Sequence, residues 1–139
     1  MVAGASARFG VPEVKRGLVA GAGGALLLAR RIPRALALEM ILTGDPFDAR
    51  RAAEIGLVNR VVDEGKALET AIGLAEKIAA NGPLALIASK AISNGGGDWT
   101  AAERWDEMAR VMGPVFTSQD AQEGARAFAE KRAPVWKGE

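Results

Sequence analysis

At 139 residues, with 49% apolar and 25% charged side chains, the chain is sized for a single domain with a core of its own. A net charge of +1 lays down no broad basic field, so nucleic acid is not an expected partner. With no Cys and no His, disulfides, thiolate nucleophiles, Ser-His-Asp triads and the usual zinc sites are excluded, and acid–base chemistry falls to carboxylates. Aromatic residues make up only 5%, so small side chains must do much of the packing. No apolar run reaches membrane-spanning length, and Met1–Gly4 lacks a charged leader before a long apolar core. A soluble cytoplasmic protein without a membrane partner is the expectation.

In chain order, Met1–Gly4 reads as the end of a strand, and Ala7–Gly10 as a second short extended piece. A helix is expected over Ala25–Arg31, then another with Pro33 as its first residue, Leu36, Ala37 and Met40 buried, and Gly44 as C-cap. Asp48 is a good N-cap for a short helix through Ile55, and Leu57–Val62 reads as a strand. Lys66–Ala80 is amphipathic, with Leu68, Ala71, Ile72, Ala75, Ile78 and Ala79 at helical spacing. Asn81-Gly82 stops it and Pro83 starts a helix expected to bury Leu84, Ile87, Ala88 and Ala91. Ser93–Gly97 reads as a mobile loop. Thr100–Glu103 fits a capping box for a helix with Trp105, Met108, Ala109 and Met112 inward, broken by Pro114. Thr117 or Ser118 caps the last helix, with Ala121, Ala125, Phe128 and Ala129 on one face, and Pro134-Val135-Trp136 is a tail. Two divisions follow, 1–62 and 63–139, the second wholly helical.

Phe9 to Gly24 is the stretch with chemical content. Pro12 fixes its own φ and pushes Val11 toward extension, so Glu13 leaves a stiff corner. Eight residues on, Gly21-Ala22-Gly23-Gly24 permits a tight turn and close backbone approach, and a helix starting there aims backbone N–H groups forward. A carboxylate beside oriented amides suits proton transfer next to a polarised group. The plain alternatives are a solvated Glu and an ordinary turn. The glycines match neither G-x-G-x-x-G, because Leu26 occupies the last glycine position, nor a P-loop. Lys15-Arg16, Arg30-Arg31 with Arg34, Arg50-Arg51 and Lys131-Arg132 are solvated faces or phosphate contacts, the solvated reading being preferred for Arg50-Arg51.

The run Ala7–Leu18 followed by Gly21–Gly24 resembles the crotonase family of enoyl-CoA hydratases and isomerases. The likeness continues through Leu42–Pro46, Ala53–Val62 and Ala127–Arg132, and Phe128–Gly138 resembles the carnitinyl-CoA dehydratase branch. The resemblance implies an α/β crotonase-like fold, of which this portion is the C-terminal half, mainly α-helical with a few short strands. It places the first acyl-CoA segment, the oxyanion amides and the first glutamate upstream of Met1. The implied activity is reversible addition of water to a 2-enoyl-CoA, with carnitinyl-CoA dehydration or enoyl-CoA isomerisation as alternatives within the family. An inert assembly or structural piece is the alternative outside catalysis. Glu13 matches the second glutamate, which exchanges a proton at the α-carbon and holds water. Pro12, Gly21 and Lys131 match substrate-binding positions: Gly21 gives the acyl chain and water room, and Lys131 meets the CoA nucleotide, with a solvated helix end as its alternative. No metal or resident cofactor is implied, since coenzyme A enters as part of the thioester. The implied partners are the acyl-CoA thioester, further copies in a trimer or hexamer built by residues 63–139, or the N-terminal half.

Overall fold

A computed structural model describes residues 1–139, which form two compact units, Met1–Leu74 and Ala75–Glu139. The division lies inside a helix rather than at the end of a strand near residue 62.

The first unit begins with β1 (Val2–Gly4) and β2 (Arg8–Phe9), then a 3-10 turn (Pro12–Arg16). Helices α1 (Gly24–Arg31) and α2 (Arg34–Thr43) follow, then β3 (Phe47–Asp48), α3 (Ala49–Glu54) and β4 (Arg60–Val62). Strand β1 runs parallel to β4, with Ala3 opposite Val61, and β2 runs antiparallel to β3, with Phe9 opposite Phe47. Between these pairs lies a core of Ala3, Ile32, Ala37, Ala52, Leu57 and Val58. Met40 is the one large side chain that is fully buried. Packing by small residues, expected from the low aromatic content, is what lets these short elements approach closely.

Caps behave as the residues dictate. Gly44 closes α2 in the left-handed region at φ 66°, and Asp48 accepts a hydrogen bond from the Arg51 amide at 2.7 Å. Pro33 sits one residue before α2, as its N-cap, because its ψ of 129° is not helical. The strand expected over Leu57–Val62 shrinks to Arg60–Val62. The amides of Leu57 and Val58 both donate to the Ala52 carbonyl, at 2.9 and 3.1 Å, so this buried pair finishes α3 instead of extending the sheet.

Helix α4 (Ala67–Ala79) crosses from the first unit into the second, which adds α5 (Pro83–Gly95), α6 (Arg104–Phe116) and α7 (Gln119–Glu130). Ser93–Gly95 belongs to α5 rather than to a mobile loop, and the Trp99 indole packs against Gly95, 3.0 Å from where a Cβ would stand. Of the side chains expected to be buried on α5, Ala88 is buried and Leu84 half-buried, but Ile87 and Ala91 are exposed. The expected capping-box residues do pair, Thr100 Oγ1 donating to Glu103 at 2.6 Å, but on the turn that precedes α6, whose N-cap is Glu103 without a side-chain cap. Pro114 lies within α6 without breaking it, near the end where one missing N–H costs one bond. Ser118 is the cap of α7, accepting from the Ala121 amide at 3.0 Å.

The buried face of α7 is not the expected one. Asp120 and Ala127 are buried, whereas Ala125, Phe128 and Ala129 are exposed, Phe128 by 85%. The tail after α7 decides this by folding back onto the Asp120 side. Arg132 grips both oxygens of Glu123, at 2.6 and 2.9 Å, and the Val135 amide donates to the same carboxylate at 2.9 Å. The hydrogen bond from Arg132, then that from Val135, holds the Glu123 carboxyl down to about 2. A depressed carboxyl contributes stability above its unfolded value, about 4.5, and loses it as pH falls toward the folded one. Melting temperatures of the wild-type chain and Glu123→Gln should therefore differ most above that value and converge toward pH 2. A gap that stays constant down to pH 2.5 would show that this carboxylate is not the group responsible.

Candidate active site

The Glu13 corner is built by neighbours that leave it little freedom. Val11, at φ −129° and ψ 78°, is outside the helical region, and Pro12 opens the 3-10 turn. Gly17, left-handed at φ 69°, closes it: its amide donates to the Val14 carbonyl, and the Leu18 amide to the Glu13 carbonyl, both at 3.1 Å. From outside, the turn is braced by the end of α2. Gly44 lies so close that a Cβ there would stand 3.0 Å from Lys15 Cγ and 3.2 Å from Val14 Cγ2. Lys15 Nζ also meets Asp45 at 2.5 Å, an exposed pair that orients more than it stabilises.

Glu13 is half-buried, and its Oε2 is fully buried without a hydrogen-bond partner. A buried carboxylate oxygen left unpaired costs free energy, and such atoms stand out in native proteins because nearly all others are satisfied. This one retains its capacity to accept a proton or a hydrogen bond from something that approaches the corner.

The glycine turn comes to the same place. The Gly21 amide donates to the Val19 carbonyl at 2.7 Å, a three-residue turn. Gly23, at φ 92°, is the N-cap of α1, and no side chain caps that helix. Gly24 is the contact that joins the two pieces. A Cβ there would stand 3.1 Å from Ala20 Cβ and 3.2 Å from Val11 Cγ1, so the start of α1 rests on the residue just before Pro12. At Gly21 the opposite holds: a Cβ would meet nothing closer than the Val19 carbonyl oxygen at 3.7 Å. The Gly21 side therefore stays open, while at the start of α1, which has no side-chain cap, the Ala25 amide donates to the Ala20 carbonyl at 3.3 Å.

Pro12 and Glu13 lie on the 3-10 turn and Gly21 on the glycine turn of the same unit, the two segments meeting where Gly24 packs on Val11. Lys131 belongs to the second unit. It is exposed at the C-cap of α7 and is the one non-glycine residue with positive φ, at 54°. Its amide donates to Phe128 and that of Arg132 to Ala127, which closes the helix. Several other cations are occupied. Arg50 and Arg51 pair with Glu54, Arg51 lies over the Phe47 ring, and Arg132 is held by Glu123 and Glu130. Sequence reasoning missed the Val11–Gly24 contact and the burial of Asp120. The first was signalled only by a β-branched residue before proline and one glycine more than a turn needs.

Residues 1–139 match the family model described as enoyl-CoA hydratase/isomerase. Among curated proteins, the chain is 44% identical over 133 residues to the enoyl-CoA hydratase EchA19 of Mycobacterium tuberculosis, covering 96% of this chain and 50% of that protein. It is 39% identical over 142 residues to the carnitinyl-CoA dehydratase of Salmonella typhi, covering 99% of this chain and 54% of that one. A crystal structure of an enoyl-CoA hydratase from M. tuberculosis H37Rv superposes with a TM-score of 0.97 at 54% identity, over 99% of this chain and 55% of that one. The chain spans about half the length of these relatives, and its short strands and many helices are a portion of their fold. By sequence over its whole length and by structure, the chain belongs to the enoyl-CoA hydratase/isomerase family.

Proposed function

We propose that these residues supply half of an acyl-CoA lyase site that adds water reversibly to a 2-enoyl-CoA. Glu13 exchanges the proton at the α-carbon and holds the water. Pro12 sets its corner, Gly21 gives the acyl chain and the water room, and Lys131 meets the CoA nucleotide. In the hydration direction, a carboxylate takes one proton from water while the oxygen bonds to the β-carbon. The π electrons move onto the thioester oxygen, and the enolate then collapses as the α-carbon takes a proton. Backbone amides and a second carboxylate from a segment outside these 139 residues stabilise that oxygen and share the proton transfers. Coenzyme A enters as part of the substrate, and the setting is cytoplasmic. The observation that carries this reading is the buried, unpartnered Oε2 of Glu13, on a turn whose preceding residue Val11 packs against the glycine run at Gly24. The same corner run in reverse gives dehydration, a reading that the 39% identity to a carnitinyl-CoA dehydratase keeps as the alternative. The test is turnover of a short 2-enoyl-CoA by this chain with and without the rest of the domain, and absence of turnover in both would leave an assembly role.

The helical part also supports a homo-oligomer, a trimer or hexamer. Leu68 and Ile72 on α4 are 72% and 50% exposed, and Trp105 on α6 is 67% exposed. Apolar side chains at that exposure call for a covering surface. Sedimentation velocity at micromolar concentration should show discrete species of three or six chains, and a single monomer boundary would contradict the assembly.

A further inference from the structure

The ending Arg132–Glu139 has no helix or strand, yet it is fastened at every step. Asp120, buried on the first turn of α7, accepts the Lys137 amide on one oxygen at 2.7 Å and the Gly138 amide on the other at 3.0 Å. Its own amide donates to the Glu139 carbonyl at 3.1 Å. Glu123, one turn on, holds Arg132 and the Val135 amide. Between these two catches Trp136 reaches across the unit. Its Nε1 donates to the Ala80 carbonyl at 2.8 Å. Its ring lies over two glycines, 3.3 Å from a Cβ position at Gly124 and 3.6 Å from one at Gly82. The indole thereby ties the middle of α7 to the corner between α4 and α5. It also forms part of the wall of an apolar cavity of about 470 Å³ between α5, α6 and α7, lined by Ala88, Ile92, Met112, Val115 and Phe116.

We propose that residues 132–139 are a releasable latch. Asp120 and Glu123 are its catches, and Trp136 is the side chain that it contributes to the wall of the open apolar pocket. The seat is made for this segment: two carboxylates at i and i+3 take backbone amides that have no ladder to join, and two glycines leave space for one indole ring. The hinge is equally defined, with left-handed Lys131 before the tail and Pro134 within it. A segment held by side-chain catches, with no packed element of its own, opens as a unit before the helices around it unfold. Release removes the indole from the pocket wall, and none of the latch's bonds involves Glu13, so only Lys131, at the hinge, is shared with the proposed function.

Hydrogen exchange of the full chain followed by mass spectrometry tests it. In the unaltered chain, amides 135–139 should exchange at least about tenfold more slowly than in the free peptide, yet faster than the centres of α5 and α6. Asp120→Ala removes a catch, and Gly124→Leu fills the indole seat while leaving both catches intact. Each should bring the tail to within about twofold of the free-peptide rate with α1–α3 protection retained, and should raise the fluorescence of added anilinonaphthalene sulfonate several-fold. Free-peptide exchange in the unaltered chain, or tail exchange no faster than that of α5 and α6, overturns the latch whatever the variants do. Tail protection that survives both substitutions, or release without added dye binding, overturns it as well.

Discussion

Glu13→Gln should lower kcat for hydration of a short 2-enoyl-CoA by about 10²–10⁴-fold in a protein that joins residues 1–139 to the rest of the domain. The substitution keeps the size of the side chain and a hydrogen-bonding end, and removes only proton exchange. The corner itself should survive, because it is held by main-chain bonds and by packing. Leu18 donates to the Glu13 carbonyl rather than to its side chain, Pro12 and Gly17 set the turn, and α2 braces it at Gly44. Oε2 has no hydrogen-bond partner to lose, so the amide should cost little stability at that atom. Binding of a saturated acyl-CoA should remain within a few-fold, which separates a loss of chemistry from a loss of site. A kcat within a few-fold of wild type together with a lowered melting temperature would make Glu13 a structural residue of the turn.

Residues 1–139 purified alone should show no detectable hydration, and addition or fusion of the remaining half of the domain should restore it. The proposed mechanism needs an amide pair aimed at the developing enolate oxygen and a second carboxylate, and Glu13 is a single carboxylate. One oxyanion donor is typically worth on the order of 10²–10³ in rate and one acid–base group about 10²–10⁴. The two act on the same transition state, so the combined loss is smaller than their product but still removes measurable turnover. The parallel pair β1–β4 makes the same point structurally. Two parallel strands of three residues each are far short of a self-sufficient sheet. Turnover by the isolated chain, with longer contaminants excluded by intact mass, would show that the site is complete within it.

Local chemistry was legible wherever one residue decides it. Gly44, Asp48 and Ser118 close or open their helices as expected, whereas the Thr100–Glu103 pair forms on the turn before α6 and not at its N-cap. The Glu13 corner follows from proline before it and glycine after it. What could not be read depends on partners distant in sequence. The apolar spacing of α7 pointed to Ala125, Phe128 and Ala129, but the tail selects the face that carries Asp120, through amides that no periodicity encodes. Leu57 and Val58 have strand-forming side chains, yet their amides go to Ala52. The three glycines after Asn94 signal a loop, but α5 continues because the Trp99 ring covers Gly95. Fold class and the stiff local geometry around Glu13 were therefore readable, while the buried faces of the second unit were not.

The central claim is that the Glu13 carboxylate moves a proton at the α-carbon. It is tested most directly by incubating the joined protein with an acyl-CoA in D₂O and following deuterium at that carbon by mass spectrometry. Wild type should incorporate solvent deuterium, and Glu13→Gln should slow incorporation by about 10²-fold or more at saturating acyl-CoA, with binding of the thioester retained. Incorporation at the wild-type rate in Glu13→Gln would contradict the account and assign the proton to another group.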